Sequence, residues 1–313
     1  MNYKDAGVDV NLANNLVDKI KTYSDQIGKF SATCVLPQWS NGSLVMSCDG
    51  VGTKVLLAKY AKEVYQRPMN SIGEDCVAMV MNDILCENAE PLFFMDYFAT
   101  GELNESFYLE VIAGIDSACK NINVKLVGGE TAELPEMFKT NKNFDVCGFG
   151  VGTKLDENTK KIKKNDILIG LYSTGLHSNG FSLINKLLKD DYKIKITEEL
   201  LNNLLKPTKI YKNDLDEFRK KLVDIKAVAH ITGGGWNNIN RSISSKHSIN
   251  WKSESKIYFA HEELFSWLQE KTSLTNDEMR STFNCGLGMV LVVDPKNLKS
   301  VNLNYEVLGV LES

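Results

Sequence analysis

No C-x-x-C pair occurs in this chain. Its seven cysteines (34, 48, 76, 86, 119, 147 and 285) are odd in number and scattered, which argues against a disulfide framework and against a zinc site. Most of them read as small buried apolar residues. No stretch reaches the roughly 18 apolar residues of a membrane span, and Met1-Asn2-Tyr3-Lys4-Asp5 carries no apolar signal region. Cytoplasm is therefore the expected compartment, with no membrane partner. Charge of one sign is also lacking, with 36 Lys and Arg against 40 Asp and Glu and a net charge of −4. No global field recruits nucleic acid, so a polyanionic ligand has to be met by local groups. Heptads, low-complexity tracts and basic-aromatic surfaces are missing too.

What the chain does carry is Cys48-Asp49-Gly50-Val51-Gly52-Thr53-Lys54, which packs a carboxylate, two glycines, a hydroxyl and an amine into one short stretch. It follows the apolar run Leu44-Val45-Met46-Ser47 and precedes helical periodicity over 55–60, so a strand-to-helix turn is predicted. In such a turn glycines let backbone N–H groups approach an anion, and the helix turns its positive end to the same spot. Lys54 and Thr53 would add to that cradle. The spacing is not that of a Walker A loop, which needs four residues between its first glycine and Gly-Lys. A carboxylate beside a phosphate nest makes sense only with a cation between them, and a hard ion such as Mg²⁺ takes oxygen ligands. Read alone, the stretch is equally a tight turn whose glycines serve geometry and whose Lys54 is solvated.

At 313 residues two domains are expected. A polar, glycine-broken opening holds Lys4 and Asp5, and a helix is expected from Asn11 with Leu12, Leu16, Ile20, Tyr23 and Ile27 in one stripe. After the central turn come a helix to about Tyr65, a break at Pro68 and a helical run over 71–88 holding Asp75, Asn82 and Asp83. At about 100° per residue Asp75 and Asn82 share a face roughly 10.5 Å apart, with Asp83 about 80° round. Ligands strung along an extended polyphosphate fit that span, and so does a plain polar face. A buried aromatic strand over 91–98, a helix capped by Asn104 and a strand over 124–127 follow. That strand runs into Gly128, Gly129, Glu130 and Thr131, read as a second phosphate turn. A strand over 144–152 closes the first domain, giving domains 1–153 and 154–313. In the second, a strand over 166–172 delivers His177, Ser178, Asn179 and Gly180 to a helix start, an anion site on physical grounds. A strand over 227–230 leads His230 into Gly233, Gly234 and Gly235. Either histidine reads equally as a satisfied core residue.

Together the segments 3–9, 49–54, Asn82-Asp83, 89–94, 128–133, 177–180, 230–235 and 282–288 resemble phosphoribosylformylglycinamidine cyclo-ligase, also called aminoimidazole ribonucleotide synthetase. The series keeps the family's order and spacing, and no single motif carries it. The resemblance implies a two-domain α+β and α/β fold. The N-terminal domain would bind ATP and dimerise, its strands forming an intersubunit β-barrel, and a larger mixed-sheet C-terminal domain would follow. It implies a homodimeric, ATP- and Mg²⁺-dependent ligase of purine biosynthesis that closes formylglycinamidine ribonucleotide into 5-aminoimidazole ribonucleotide, releasing ADP and phosphate. On this resemblance Asp49, Asp75, Asp83 and Glu130 fall to Mg²⁺. Lys4, Asp49, Gly50, Val51, Gly52, Thr53, Lys54, Asn82, Gly128, Gly129 and Thr131 fall to ATP. His177, Ser178, Asn179, Gly180, Gly233, Gly234 and Gly235 fall to the substrate. His177, whose unperturbed pKa lies near neutrality, is the expected proton-transfer group, with Lys54 beside it in catalysis. Two departures stand out: residues 26–32 hold one glycine where the family has a glycine-rich stretch, and Leu176 stands where proline commonly precedes the histidine. Selenophosphate synthetase, thiamine-monophosphate kinase and hydrogenase-maturation relatives share the acidic ATP site, and a non-catalytic nucleotide-binding protein is the reading from another class. The opening at 4–9 and the run 282–288 speak for the cyclo-ligase.

Overall fold

A computed structural model describes residues 15, 18, 19, 30–35, 42–140, 142–156, 160–189, 194, 196–243, 247–252 and 256–312. Lys4, Asp5, most of the helix expected from Asn11 and most of 26–32 lie outside them. The rest folds as two five-stranded sheets, each with helices against it. Among the described residues no helix is long and apolar enough to cross a membrane.

The first sheet runs β1 (Ala32–Val35), β2 (Ser43–Gly50), β5 (Phe144–Lys154), β3 (Ala89–Thr100), β4 (Lys125–Glu133). All its neighbours are antiparallel except β3 and β4, which pair in parallel. A parallel pair needs a crossover, and α3 (Glu105–Asn121) supplies it, opened by an Asn104 side chain that accepts from Phe107 N at 3.0 Å. Against one face lies α2 (Asn70–Cys86), preceded by α1 (Lys54–Tyr65). Strand alternation explains the seat of α2. Gly148, Gly150 and Gly152 recur at every second position of β5, and a Cβ at any of them would meet Phe94, Val80, Met81 or Ile84. Glycine at that period lowers the floor so that a helix can rest on it.

The second contact that fixes α2 is with α3. A Cβ at Gly73 would run into the Val111 carbonyl, and one at Gly114 into the Asn70 carbonyl. These are backbone atoms, which cannot swing aside. Gly73→Ala is therefore expected to lower stability by about 1–3 kcal/mol, the usual range for overpacking. Urea unfolding checks this, and an alanine variant as stable as wild type would contradict the close approach.

The second sheet runs β7 (Ile225–His230), β9 (Leu287–Val293), β6 (Ile167–Tyr172), β10 (Tyr305–Leu311), β8 (Ile249–Trp251), with antiparallel neighbours throughout. Its helices are α4 (Phe181–Leu187), α5 (Glu198–Leu204), α6 (Lys212–Lys220), α7 (Ile239–Ser242), α8 (Glu262–Thr272) and α9 (Asn276–Thr282). One apolar core runs through both halves, joining Val51, Val55, Phe98 and Val146 to Phe181, Leu204, Phe265 and Phe283.

One expected element is different. Gly128, Gly129, Glu130 and Thr131 do not form a turn, because they continue β4 in register with Met95, Asp96, Tyr97 and Phe98. Two adjacent glycines are a turn signal on propensity, but a parallel partner strand supplied their hydrogen bonds and tertiary pairing prevailed.

Candidate active site

The central stretch is a strand-to-helix junction, with β2 ending at Gly50 and α1 starting at Lys54. Gly52 has φ of 66°, where glycine carries no steric penalty. Thr53 faces the start of α4, its Oγ1 lying 3.0 Å from Ser182 Oγ, and its carbonyl accepts from Asn185 Nδ2 at 2.8 Å.

Lys54 does not reach outward. It is fully buried, its Nζ 2.7 Å from Asp75 Oδ2, and it donates to the carbonyls of His177 at 2.9 Å and Lys206 at 2.8 Å. An ammonium has three donors, and these contacts use them all. Burial pushes its pKa down, and Asp75 pulls it back up. Asp75 Oδ1 in turn accepts from Thr208 N at 2.7 Å and Thr208 Oγ1 at 2.6 Å. Asn82, two turns on, donates from Nδ2 to the Lys209 carbonyl at 2.9 Å and accepts at Oδ1 from Tyr211 N at 3.0 Å. The face shared by Asp75 and Asn82 is thus covered by the chain's own segment 206–211. That corrects the expectation of a polyphosphate there: the helical spacing holds, but the groups bind backbone and hydroxyl of the second domain.

His177 is corrected likewise. It is fully buried at φ of 60°, and its Nε2 accepts from the backbone N–H of Thr174 at 3.3 Å and of Lys209 at 3.5 Å. Burial, then the nearby cations, hold its pKa well below the usual imidazole value. With Nε2 taken by these two N–H groups, the buried ring pins the turn to segment 206–211, and burial opposes its taking up a second proton. Gly180 and Gly235 also serve packing, since a Cβ would strike the Phe283 ring at the first and the Arg280 carbonyl at the second.

His177 Nδ1 is itself buried without a partner, and open groups are found at two further places around the junction. Asn179 keeps a buried Nδ2 without a partner, and its Oδ1 is the one atom near the space a Cβ of Gly233 would take, at 3.6 Å. The 177–180 and 233–235 turns therefore meet, with a vacant donor between them. The other place is the pair Asp49 and Asp83. Asp49 sits on the helix-facing side of β2, in one row with Gly148, Asp96 and Gly129. Burial and then the Asp83 charge push it up to about 6, while the Gly50 N–H, donating to Oδ1 at 2.7 Å, works the other way. His230 Nδ1 is 2.8 Å from Asp83 Oδ1. Arg241, which also lowers the Asp49 pKa, packs over the Phe30 ring.

Glu130 does not join this pair. It falls one residue out of step with the Asp49 row, hence on the opposite face, and its carboxylate accepts from Thr131 N at 2.8 Å. Gly128, Gly129 and Thr131 sit on the same strand. Among the described residues no three His, Cys, Asp or Glu side chains converge on one ion. Asp96 was missed by sequence reasoning. It is buried on β3, and burial pushes it up to about 6. Alternation along Phe94-Met95-Asp96-Tyr97-Phe98 could have flagged it, because an acid in step with two buried phenylalanines must face inward. Thr208 and Arg241 gave no local signal at all.

Two family models match in tandem. The AIR synthase related protein N-terminal domain matches residues 31–153, and the C-terminal domain of the same family matches residues 163–312. Solved structures with the same fold include AaThiL complexed with AMPPCP and TMP. That chain is 18% identical at a TM-score of 0.67, covering 95% of this chain and 90% of its own. The thiamine monophosphate kinase of Aquifex aeolicus is 16% identical at a TM-score of 0.67, with 96% and 94% covered. A hydrogenase maturation protein HypE in complex with ATP is 16% identical at a TM-score of 0.59, with 87% and 78% covered.

Proposed function

The chain belongs to the AIR synthase related family, and we propose that it uses ATP with Mg²⁺ to activate a substrate oxygen by phosphoryl transfer. The observation that carries this is the buried Asp49 carboxylate beside the Asp83 charge, pushed up to about 6 by burial first and by Asp83 second. A hard cation held by Asp49 and Asp83 would offset the repulsion between them, and Mg²⁺ is commonly held by one or two carboxylates plus substrate phosphates. The donor set fits. When bound, the ion neutralises charge on the transferring phosphoryl group. Gly50, Val51, Gly52 and Thr53 lie at the α1 N-terminus, where backbone N–H groups favour phosphate, and Gly128, Gly129, Glu130 and Thr131 remain proposed contacts from β4, the far edge of the same sheet, with two strands between it and β2. Lys4 keeps its proposed role at the nucleotide. Lys54, Asp75 and Asn82 act behind these groups by holding segment 206–211 in place.

The finer reading is the cyclo-ligase, supported by the motif order across 3–288. A formamide carbonyl is a poor electrophile, so its oxygen is phosphorylated first, the amidine nitrogen then attacks, and phosphate leaves. Asn179 and Gly233, meeting with an unused donor, suit the substrate ribonucleotide, with Ser178 and Gly234 around them. Two copies are proposed to meet through the open face of the first sheet, where Phe93, Met95, Tyr97 and Val127 are 40%, 39%, 40% and 50% exposed. Adjoining apolar residues of that extent mark an interaction surface.

A second reading is a thiamine-monophosphate kinase activity, favoured by the fold match to that enzyme at a TM-score of 0.67. ADP formation from ATP separates the two, since both readings yield ADP while only the cyclo-ligase also frees phosphate. The expected result is Mg²⁺-dependent ADP and phosphate with formylglycinamidine ribonucleotide and no ADP with thiamine monophosphate; ADP formed with thiamine monophosphate alone would reverse the assignment.

A further inference from the structure

His230 joins two domains at the acidic pair. It ends β7 of the second sheet and is fully buried, yet its Nδ1 reaches Asp83 Oδ1 on α2 of the first at 2.8 Å. Its other nitrogen, Nε2, lies 3.4 Å from Asn82 Nδ2. The orientation of the Asn82 amide is fixed independently, because Oδ1 accepts from Tyr211 N and Nδ2 donates to the Lys209 carbonyl. Asn82 therefore presents a donor to His230, so Nε2 is the acceptor and Nδ1 carries the hydrogen. The chain of contacts runs from segment 206–211 through Asn82 and His230 to Asp83.

We propose that His230 is a positioning residue for the cation site: its Nδ1–H holds the Asp83 carboxylate in one orientation toward Asp49, so the site is complete only when the second domain is docked on α2. The inference rests on the Mg²⁺–ATP reading above. One oxygen of Asp83 is engaged by the imidazole and the side chain is 14% exposed, leaving the second oxygen for a ligand. Without the histidine, the carboxylate would be free to rotate about χ2, and a cation would bear the cost of ordering it. Groups that orient a metal ligand in this way typically change metal affinity by about 10–100-fold when removed.

Substitutions that separate donation from bulk give the test. In His230→Asn the amide nitrogen falls near the place of Nδ1 and can still donate to Asp83. In His230→Gln it falls near Nε2, facing Asn82. Mn²⁺ binding to the full chain is measured by electron paramagnetic resonance with AMPPCP present, so no turnover is needed, and melting temperatures are taken alongside. The expected result is that His230→Asn stays within about threefold of wild type while His230→Gln weakens Mn²⁺ binding about 10–100-fold, with the two variants equally stable. Equal Mn²⁺ affinity in both variants, or losses that simply follow stability, would overturn the positioning role. Failure of the underlying reading has a different signature: wild type itself would then take up no Mn²⁺ with nucleotide, and the inference falls with it.

Discussion

Asp49→Asn is expected to lower turnover steeply while making the ligand-free protein more stable. The two effects share one cause. Asp49 is pushed up to about 6 by burial and by Asp83, against an ordinary value of 3.8. Between those values the folded chain keeps a proton that the unfolded chain has released, so lowering the pH through this window stabilises the fold. Above about 6 the ionised carboxylate carries its full penalty, and below 3.8 the penalty is gone. At pH 8 and without Mg²⁺, the asparagine variant should be more stable by about 1–3 kcal/mol, an advantage that shrinks as the pH drops below 6. Urea unfolding at pH 8 and pH 5 reads this directly. Removing one anionic ligand at a phosphoryl-transfer site should meanwhile lower kcat/KM by about 100-fold or more. A variant less stable at pH 8, or one that keeps its turnover, would show that Asp49 belongs to the fold rather than to a cation.

Much of this frame is legible in residue order. The 49–54 junction, the caps and the alternation of the strands follow from local rules, because turns and strand faces are decided by residues close in sequence. Asp75 and Asn82 were correctly placed on one helix face. What lies on that face was not legible, since helical periodicity says which residues are neighbours and nothing about an occupant that arrives more than 120 residues later. The same reason hides the His230–Asp83 contact. His177 misleads for another reason: a histidine in a glycine-rich turn suggests exposure, but its ring is folded under segment 206–211 and its Nε2 is taken by two backbone N–H groups. Gly128 and Gly129 show the limit of propensity, because only the presence of β3 as a partner decides between turn and strand.

Lys54 gives the sharpest separation between a phosphate ligand and a structural ion pair. If its ammonium served phosphate, Lys54→Met would spare stability and lower activity. The geometry favours the opposite ranking, with all three donors spent on Asp75, His177 and Lys206 and both side chains of the pair fully buried. Deleting the cation leaves the Asp75 carboxylate buried with only Thr208 as partner, and breaking such a pair costs about 3–5 kcal/mol. At about 2–4 °C per kcal/mol for a chain of this kind, the melting temperature should fall by roughly 10 °C. Adding Asp75→Asn removes the stranded charge and keeps an acceptor for Thr208, so the double variant should recover much of the loss. Its nucleotide binding should recover with it, because Asn82 still holds segment 206–211 and Thr208 of that segment again has an uncharged acceptor at position 75. If Lys54→Met melted with wild type yet bound nucleotide poorly, the lysine would have to leave Asp75 when phosphate arrives, and the buried pair would be a resting state of the site. If the double variant stayed as unstable as the single one, the missing element would be the lysine's bonds to the two carbonyls rather than its charge.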